Sequence, residues 1–296
     1  MKSKLLSICL IFALIVLTVG CTLSNQVSTA VPTQVAPSSP QPTIALTETP
    51  SASPTAVPSQ PVELTPTPVT SPTVSSSPPV IRLDAPLGLG LLEVADVDFL
   101  AQHLRSDDYV VVHVRNVKAL DRVPGKKRML ILTPEDVKNM SDTLALADST
   151  DITVISYNLE GQLTREELVD GERTVYDQVN AAGFPFMFGP MVTHLMRYYA
   201  DFANNADAII IQSQRMQVSD DYGERVNELI ANLKAANPNI QVWVQISVVP
   251  PPDRNVPVET ILNEIASIAD SIDGLFLFYI AERWDAVEEI ISVLRP

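Results

Sequence analysis

Polar side chains recur at the carboxyl ends of several short apolar runs, and through them this chain could act on a ligand. Imidazole, amide, hydroxyl and carboxyl groups transfer protons or hydrogen-bond polar ligands. The residues are His113 and Arg115, then Ser156, Asn158 and Glu160, then Gln212 and Gln214, then Gln245 and Ser247, and finally Tyr279 with Glu282. Alternate spacing places the side chains of a set on one strand face. We expect them to form one site; the alternative is that they only satisfy each other or water at a rim.

The elements that would position these groups are eight short strands that alternate with helices. This alternation predicts an α/β fold with parallel strands and right-handed crossovers. Eight such strands would close a (β/α)8 TIM-barrel-like domain, in which all carboxyl strand ends meet at one mouth. The first and third strands are weak, so an incomplete or open barrel is the alternative. The predicted strands are Val80–Leu83, Tyr109–Val114, Met129–Leu132, Ile152–Asn158, Pro185–Phe188, Ala208–Gln212, Gln241–Val248 and Gly274–Tyr279.

Helical spacing of apolar residues is clearest near the end of the chain, over residues 221–236, 258–272 and 286–294. The charged cluster from Arg165 to Glu172 is predicted to be the solvated face of another helix. Trp243 lies inside a predicted strand, which favours a place in the core.

The run Asp151-Ile-Thr-Val-Ile-Ser-Tyr-Asn-Leu-Glu160 falls on the fourth predicted strand. It resembles the strand-four motif of family 18 chitinase-like glycoside hydrolases, in which alternating aspartates lead to an acidic glutamate. Glu160 matches this motif, whereas Thr153, Ser156 and Asn158 occupy the aspartate positions. An asparagine two residues before the glutamate is more similar to the related endo-β-N-acetylglucosaminidases.

This resemblance implies hydrolysis of an N-acetylated glycan, in which the acetamido oxygen of the substrate attacks its own anomeric carbon. Glu160 would protonate the leaving oxygen, Asn158 would orient the acetamido group, and Tyr279 would complete the catalytic set. His113, Arg115, Ser156, Gln212, Gln214, Gln245, Ser247 and Glu282 would contact the glycan, and Trp284 could stack on a sugar ring.

Three functions stay open: a slow glycosidase, a barrel that binds a glycan or peptide without cleaving it, and a structural protein of the cell envelope. The missing aspartates favour binding over hydrolysis. Gln212, Gln214 and Gln245 stand where a two-carboxylate glycosidase needs acids, unless Glu282 or Asp220 approaches. Glu160 is explained equally well as a first-turn helix residue, stabilised by the helix dipole.

Other catalytic patterns are missing from the sequence. It contains no G-x-S-x-G, Walker A or H-E-x-x-H motif, and its three histidines, His103, His113 and His194, are too far apart for metal-ligand spacing. Gly88-Leu-Gly90 is too short for a dinucleotide-binding loop. We therefore expect neither a cofactor nor a metal.

The first 21 residues have the pattern of an export signal. Lys2 and Lys4 precede an apolar run, Leu5–Val19, that is too short for a comfortable transmembrane helix. The run ends in Gly20-Cys21, which resembles the lipobox of bacterial lipoproteins, although Thr18 stands where leucine is usual. This resemblance implies a lipidated Cys21 and an exported protein anchored to the extracytoplasmic face of the cell envelope.

Residues 22–80 contain no glycine and no aromatic residue, and are rich in proline, serine and threonine. Such a segment cannot offset its ordering entropy, so it is predicted to be a disordered stalk before a domain at 81–296. Both cysteines precede that domain. The net charge of −15 falls on the domain, which argues against a nucleic-acid partner.

Overall fold

The computed structural model describes residues 81, 83–159, 161, 163–253 and 255–296. The predicted signal peptide with Cys21, the predicted stalk at 22–80 and Glu160 lie outside the described residues.

Eight parallel strands pair in chain order, and the eighth pairs with the first to close a barrel. The predicted (β/α)8 barrel is confirmed, and it is closed rather than incomplete. The strands are β1 Leu87–Gly90, β2 Tyr109–His113, β3 Lys127–Leu132, β4 Val154–Tyr157, β5 Phe186–Phe188, β6 Ala208–Gln212, β7 Gln241–Ser247 and β8 Gly274–Phe278.

Helices connect the strands and cover the outside of the barrel. They are α1 Val97–His103, α2 Pro134–Lys138, α3 Met140–Ser149, α4 Arg165–Ala181, α5 Val192–Phe202, α6 Tyr222–Ala236, α7 Val258–Ile268 and α8 Trp284–Leu294, with 3₁₀ helices at Val114–Arg122, Ser213–Arg215 and Ala281–Arg283. The three helices predicted near the end of the chain appear as α6, α7 and α8. Within the described part of the chain, no helix has the length and apolar character needed to cross a bilayer.

Two glycines make room for aromatic rings inside the barrel. A Cβ on Gly88 would overlap the ring of Phe276, and one on Gly274 would overlap the ring of Trp243. Trp243 is 1% exposed, as expected for a core residue. The interior cluster consists of Val111, Met129, Val154, Met187, Ala208, Ile210, Trp243 and Phe276.

The first predicted strand, Val80–Leu83, is wrong. The strand that pairs with β2 and β8 is Leu87–Gly90, a run with two glycines and hence weak strand propensity. Gly88 is required there because Phe276 fills the space that a side chain would occupy. Leu83 is apolar because it is buried, although it is not in a strand.

The expectation of a fully solvated charged face on α4 is also wrong at one position. Arg165, Glu166, Glu167 and Asp170 are exposed on the surface as expected, but Glu172 is fully buried. Leu168, Val175 and Val179 are buried on the same helix at spacings of four, three and seven residues from Glu172. Glu172 therefore belongs to the apolar face of α4.

A buried ion pair closes the amino-terminal end of the barrel. Arg295 donates from Nε and Nη2 to the two carboxylate oxygens of Asp108, at 3.0 and 2.8 Å, and both side chains are almost completely buried. Asp108 also accepts from the backbone N–H groups of Leu87 (2.7 Å) and Arg105 (2.8 Å).

Arg295 further donates to the carbonyl oxygens of Leu83, at 2.6 Å, and Ala85, at 2.8 Å. We call this set, Leu83, Ala85, Asp108 and Arg295, the clasp. It joins the segment before β1, the start of β2 and the end of α8.

Candidate functional site

A cavity of about 370 Å³ lies at the carboxyl ends of the strands, where barrel enzymes hold their substrates. Every strand except β5 contributes to its wall, either directly or through the residues that follow. The lining residues are Gly90, Leu91, Leu92, Val111, Val112, His113, Asn116, Ile131, Asn158, Gln212, Gln214, Gln245, Phe276, Leu277, Phe278 and Tyr279.

Six of the predicted site residues come together in this wall: His113, Asn158, Gln212, Gln214, Gln245 and Tyr279. Because they lie on five different strands or strand ends, the closed barrel alone brings them close. Arg115, Ser156, Ser247, Glu282 and Trp284 do not line the cavity, and Glu160 is outside the described residues.

The two serines share a strand face with lining residues, yet both are buried. The Oγ of Ser247 accepts a hydrogen bond from the backbone N–H of Val249, at 3.0 Å. Ser156 is completely buried beside β3 and β5, and its Oγ has no hydrogen-bond partner among the described residues. Alternation along a strand predicts the face on which a residue lies, but not whether neighbouring parts of the chain cover it.

Trp284 packs into the structure instead of facing the cavity. Its indole Nε1 donates to Glu288 at 2.7 Å, and its ring contacts Tyr279 with centroids 5.4 Å apart. The described aromatic side chain that is exposed at the cavity is Phe278, at 47%. Phe278 and Phe276 alternate along β8, and this spacing was a signal for an aromatic residue at the mouth.

Tyr279 lines the cavity while its hydroxyl is engaged by the neighbouring strand end. The hydroxyl donates to Gly90 O at 2.8 Å and accepts from Leu92 N–H at 3.3 Å. Burial raises the pKa of this phenol to about 12, so it is neutral at physiological pH. In this structure Tyr279 holds the end of β1 in place.

Amide groups form the wall on the side of β4, β5 and β6. Gln212 Nε2 donates to Gly189 O at 2.8 Å. A Cβ on Gly189 would overlap Asn158 Oδ1, so the glycine that follows β5 leaves space for the Asn158 amide. Asn158 Oδ1 has no hydrogen-bond partner within the described part of the chain. A buried acceptor without a partner is the kind of group that a ligand or an ordered water satisfies.

The loop after β6 carries Gln214 and is fixed against β7. Ser213 Oγ donates to Gln245 O at 2.8 Å and lies 3.0 Å from the hydroxyl of Tyr222. Gln217 accepts from Ser247 N–H (2.8 Å) and donates to Ser247 O (3.1 Å). These bonds hold the loop along the end of β7.

A buried carboxylate also holds the loop that follows β6. Glu264 on α7 accepts from Gln217 Nε2 at 2.9 Å and from Val218 N–H at 2.6 Å. Val218 has a φ of 65°, a strained conformation for a β-branched residue. The contacts of Glu264 stabilise that conformation, and with it the position of the loop.

The cavity wall combines apolar side chains with amide groups, an imidazole and a phenol, and it carries no carboxylate among its described residues. Burial lowers the pKa of the His113 imidazole, and the charge of Arg115 acts in the same direction. His113 is therefore neutral at pH 7, and its buried Nδ1 has no hydrogen-bond partner in the described structure. Over the same residues, no group of three or more His, Cys, Asp and Glu side chains could hold a metal.

Two residues that line the cavity, Asn116 and Phe278, were not among the site residues predicted from strand alternation. Asn116 lies in the 3₁₀ helix that follows β2, where strand alternation no longer applies.

No protein-family model and no curated protein matches this chain. Among solved structures, it is similar to tryptophan synthase from M. tuberculosis, with a TM-score of 0.49 and 13% identity over 72% of this chain and 89% of the other. It is also similar to (S)-mandelate dehydrogenase, with a TM-score of 0.46 and 11% identity over 70% of this chain and 72% of the other. Such distant likeness carries no argument about activity, and the barrel is established by the strand pairing of this chain.

Proposed function

We propose that the barrel binds an uncharged glycan in the cavity at its mouth. The observation that carries this proposal is the pairing of an amide-rich wall with one exposed aromatic ring, Phe278. Amide side chains offer both donors and acceptors, which suits sugar hydroxyls that do the same. The apolar face of a sugar ring packs on an aromatic side chain, as other apolar surfaces do.

An N-acetylated sugar suits the cavity best. An acetamido group brings one N–H donor and one carbonyl acceptor, and the wall holds polar atoms without partners among the described residues at Asn158 Oδ1 and His113 Nδ1. Rotation of the Asn158 amide would turn its oxygen toward the cavity and allow it to accept the acetamido N–H. This matches the role that the resemblance to endo-β-N-acetylglucosaminidases implies for Asn158.

A glycan array probed with the full chain in detergent tests the proposal. We expect binding to glycans that contain N-acetylhexosamine, and at least a tenfold loss of affinity in Gln245→Ala and Phe278→Ala. Gln241→Ala is the matched control, because Gln241 is exposed at the opposite end of the same strand, β7. The proposal is wrong if no glycan binds, or if the two cavity variants bind as well as the control.

Slow hydrolysis of the bound glycan is the second candidate function. One observation favours it: Asn158, which lies two residues before Glu160, lines the cavity. Glu160 would then protonate the leaving oxygen, and the acetamido group of the substrate would act as the nucleophile.

We also propose that Cys21 is lipidated and that the domain is displayed on the extracytoplasmic face of the cell envelope. The support is the order of a short basic segment, an apolar run and Gly20-Cys21 in the sequence. A glycan of the envelope or its surroundings would then be within reach of the cavity.

A further inference from the structure

A second, smaller cavity of about 130 Å³ lies beside the first. Gln212 and Gln214 line both cavities, so the two spaces share a wall. The residues of the smaller cavity are Met191, Val192, Thr193, Gln212, Gln214 and Arg215. We call it the outer cavity and the larger one the inner cavity.

The strand that adds nothing to the wall of the inner cavity is β5. The chain continues from β5 through the buried Gly189 and Pro190 into Met191, Val192 and Thr193, which line the outer cavity. The side chains that separate the two cavities are therefore the shared ones, Gln212 and Gln214.

The chemical character of the outer cavity resembles that of the inner one, with one addition. Thr193 supplies a hydroxyl, and the two shared glutamines supply amides. Arg215 is the one charged side chain among the described residues that line either cavity. Its guanidinium offers five N–H donors to the hydroxyl or acidic groups of a ligand.

We propose that the two cavities are consecutive subsites for one oligosaccharide chain, which passes over the shared side chains of Gln212 and Gln214. The inner sugar unit lies against Phe278 and the amide wall, and the next unit lies against Thr193 and Arg215. Gln212 and Gln214 lie between the two and hydrogen-bond both. This inference rests on the proposed function, and it makes the ligand an oligosaccharide instead of a single sugar.

The test is calorimetric titration of the full chain with N-acetylglucosamine and its β-1,4-linked dimer, trimer and tetramer. In the unsubstituted protein, we expect the affinity to rise at least tenfold from the monosaccharide to the trimer. Thr193→Trp places a bulky side chain in the outer cavity, and should abolish this gain without changing the affinity for the monosaccharide. Arg215→Gln should reduce the gain in part.

Met196→Trp is the matched control, because Met196 is exposed on the same helix, α5, and does not line the outer cavity. It should keep the full gain. The inference is overturned if the monosaccharide binds as tightly as the trimer, or if Thr193→Trp keeps the gain. Absence of binding to every oligomer overturns the proposed function itself, and the subsites with it.

Discussion

Replacing Glu172 with glutamine is expected to stabilise the barrel at neutral pH. The Glu172 side chain is fully buried on the inner face of α4, and neither carboxyl oxygen has a hydrogen-bond partner among the described residues. Burial raises its pKa to about 10, and the charge of Asp201 adds to the shift. The nearby amide of Asn205 opposes the shift, although it forms no hydrogen bond of good geometry with either oxygen.

The size of the effect follows from proton linkage. Between the unfolded pKa of 4.5 and the folded pKa of about 10, the folded state holds a proton that the unfolded state has lost. The free energy of unfolding therefore falls as the pH rises through this window, by about 1.4 kcal/mol per unit. From pH 5 to pH 7.5 this amounts to a loss of about 3 kcal/mol, which is large against a typical total of about 5–15 kcal/mol.

Urea unfolding of Glu172→Gln and of the unsubstituted chain at pH 5 and pH 7.5 measures how much of the free energy of unfolding depends on the protonation of Glu172. Tryptophan fluorescence is the probe. Glutamine carries no titrating proton, so its advantage should be about 3 kcal/mol larger at pH 7.5 than at pH 5. Glu166→Gln, at an exposed position of the same helix, is the control and should show no such difference. An advantage of Glu172→Gln that is equal at the two pH values would refute the reasoning.

Three further outcomes are expected. Arg295→Met removes the bidentate partner of the buried Asp108 carboxylate, to which only the more distant Arg105 guanidinium, at 3.9 Å, also pairs among the described residues. It should lower the free energy of unfolding by about 3–5 kcal/mol in the same urea assay. The exposed control Arg173→Met should cost less than about 1 kcal/mol, and equal losses would contradict the role of the clasp. If chitin oligosaccharides are cleaved, Glu160→Gln should slow cleavage by about 10²-fold or more with binding kept, and an unchanged rate would remove Glu160 from the mechanism. Mass spectrometry of the mature protein should find Cys21 as an acylated first residue; an unmodified Cys21 in a secreted form would disprove the anchor.

Strand order and most strand positions were predictable because buried parallel strands are continuous apolar runs, as in β6 and β8. β1 was missed because Gly88 has low strand propensity. A glycine is needed at this position because the ring of Phe276, which is distant in sequence, occupies the space of a side chain. No local pattern contains that information. Glu172 was missed although its spacing from Leu168 and Val175 places it on the apolar face, because a carboxylate is rarely buried without a partner.

The residues of the site were predictable where the alternation of side chains along a strand decides which of them face the inside of the barrel. Strand alternation placed Asn158, Gln212 and Gln245 at the cavity because each continues the inward-facing positions of its strand toward the carboxyl end. It failed for Ser247, which the side chain of Gln217 covers through a contact 30 residues apart in sequence. It failed also for Trp284, whose packing against Tyr279 depends on the angle at which α8 leaves β8.

The clasp has a mechanical consequence. Leu83 and Ala85 are bound to Arg295, which in turn is bound to Asp108, at the amino-terminal end of the barrel, whereas the cavity lies at the carboxyl-terminal end. A pull transmitted through the residues before Leu83 would first load the two hydrogen bonds that the carbonyl groups of Leu83 and Ala85 accept from Arg295. Tension on the chain would thus be resisted at the end of the barrel opposite the cavity, before it reaches β1.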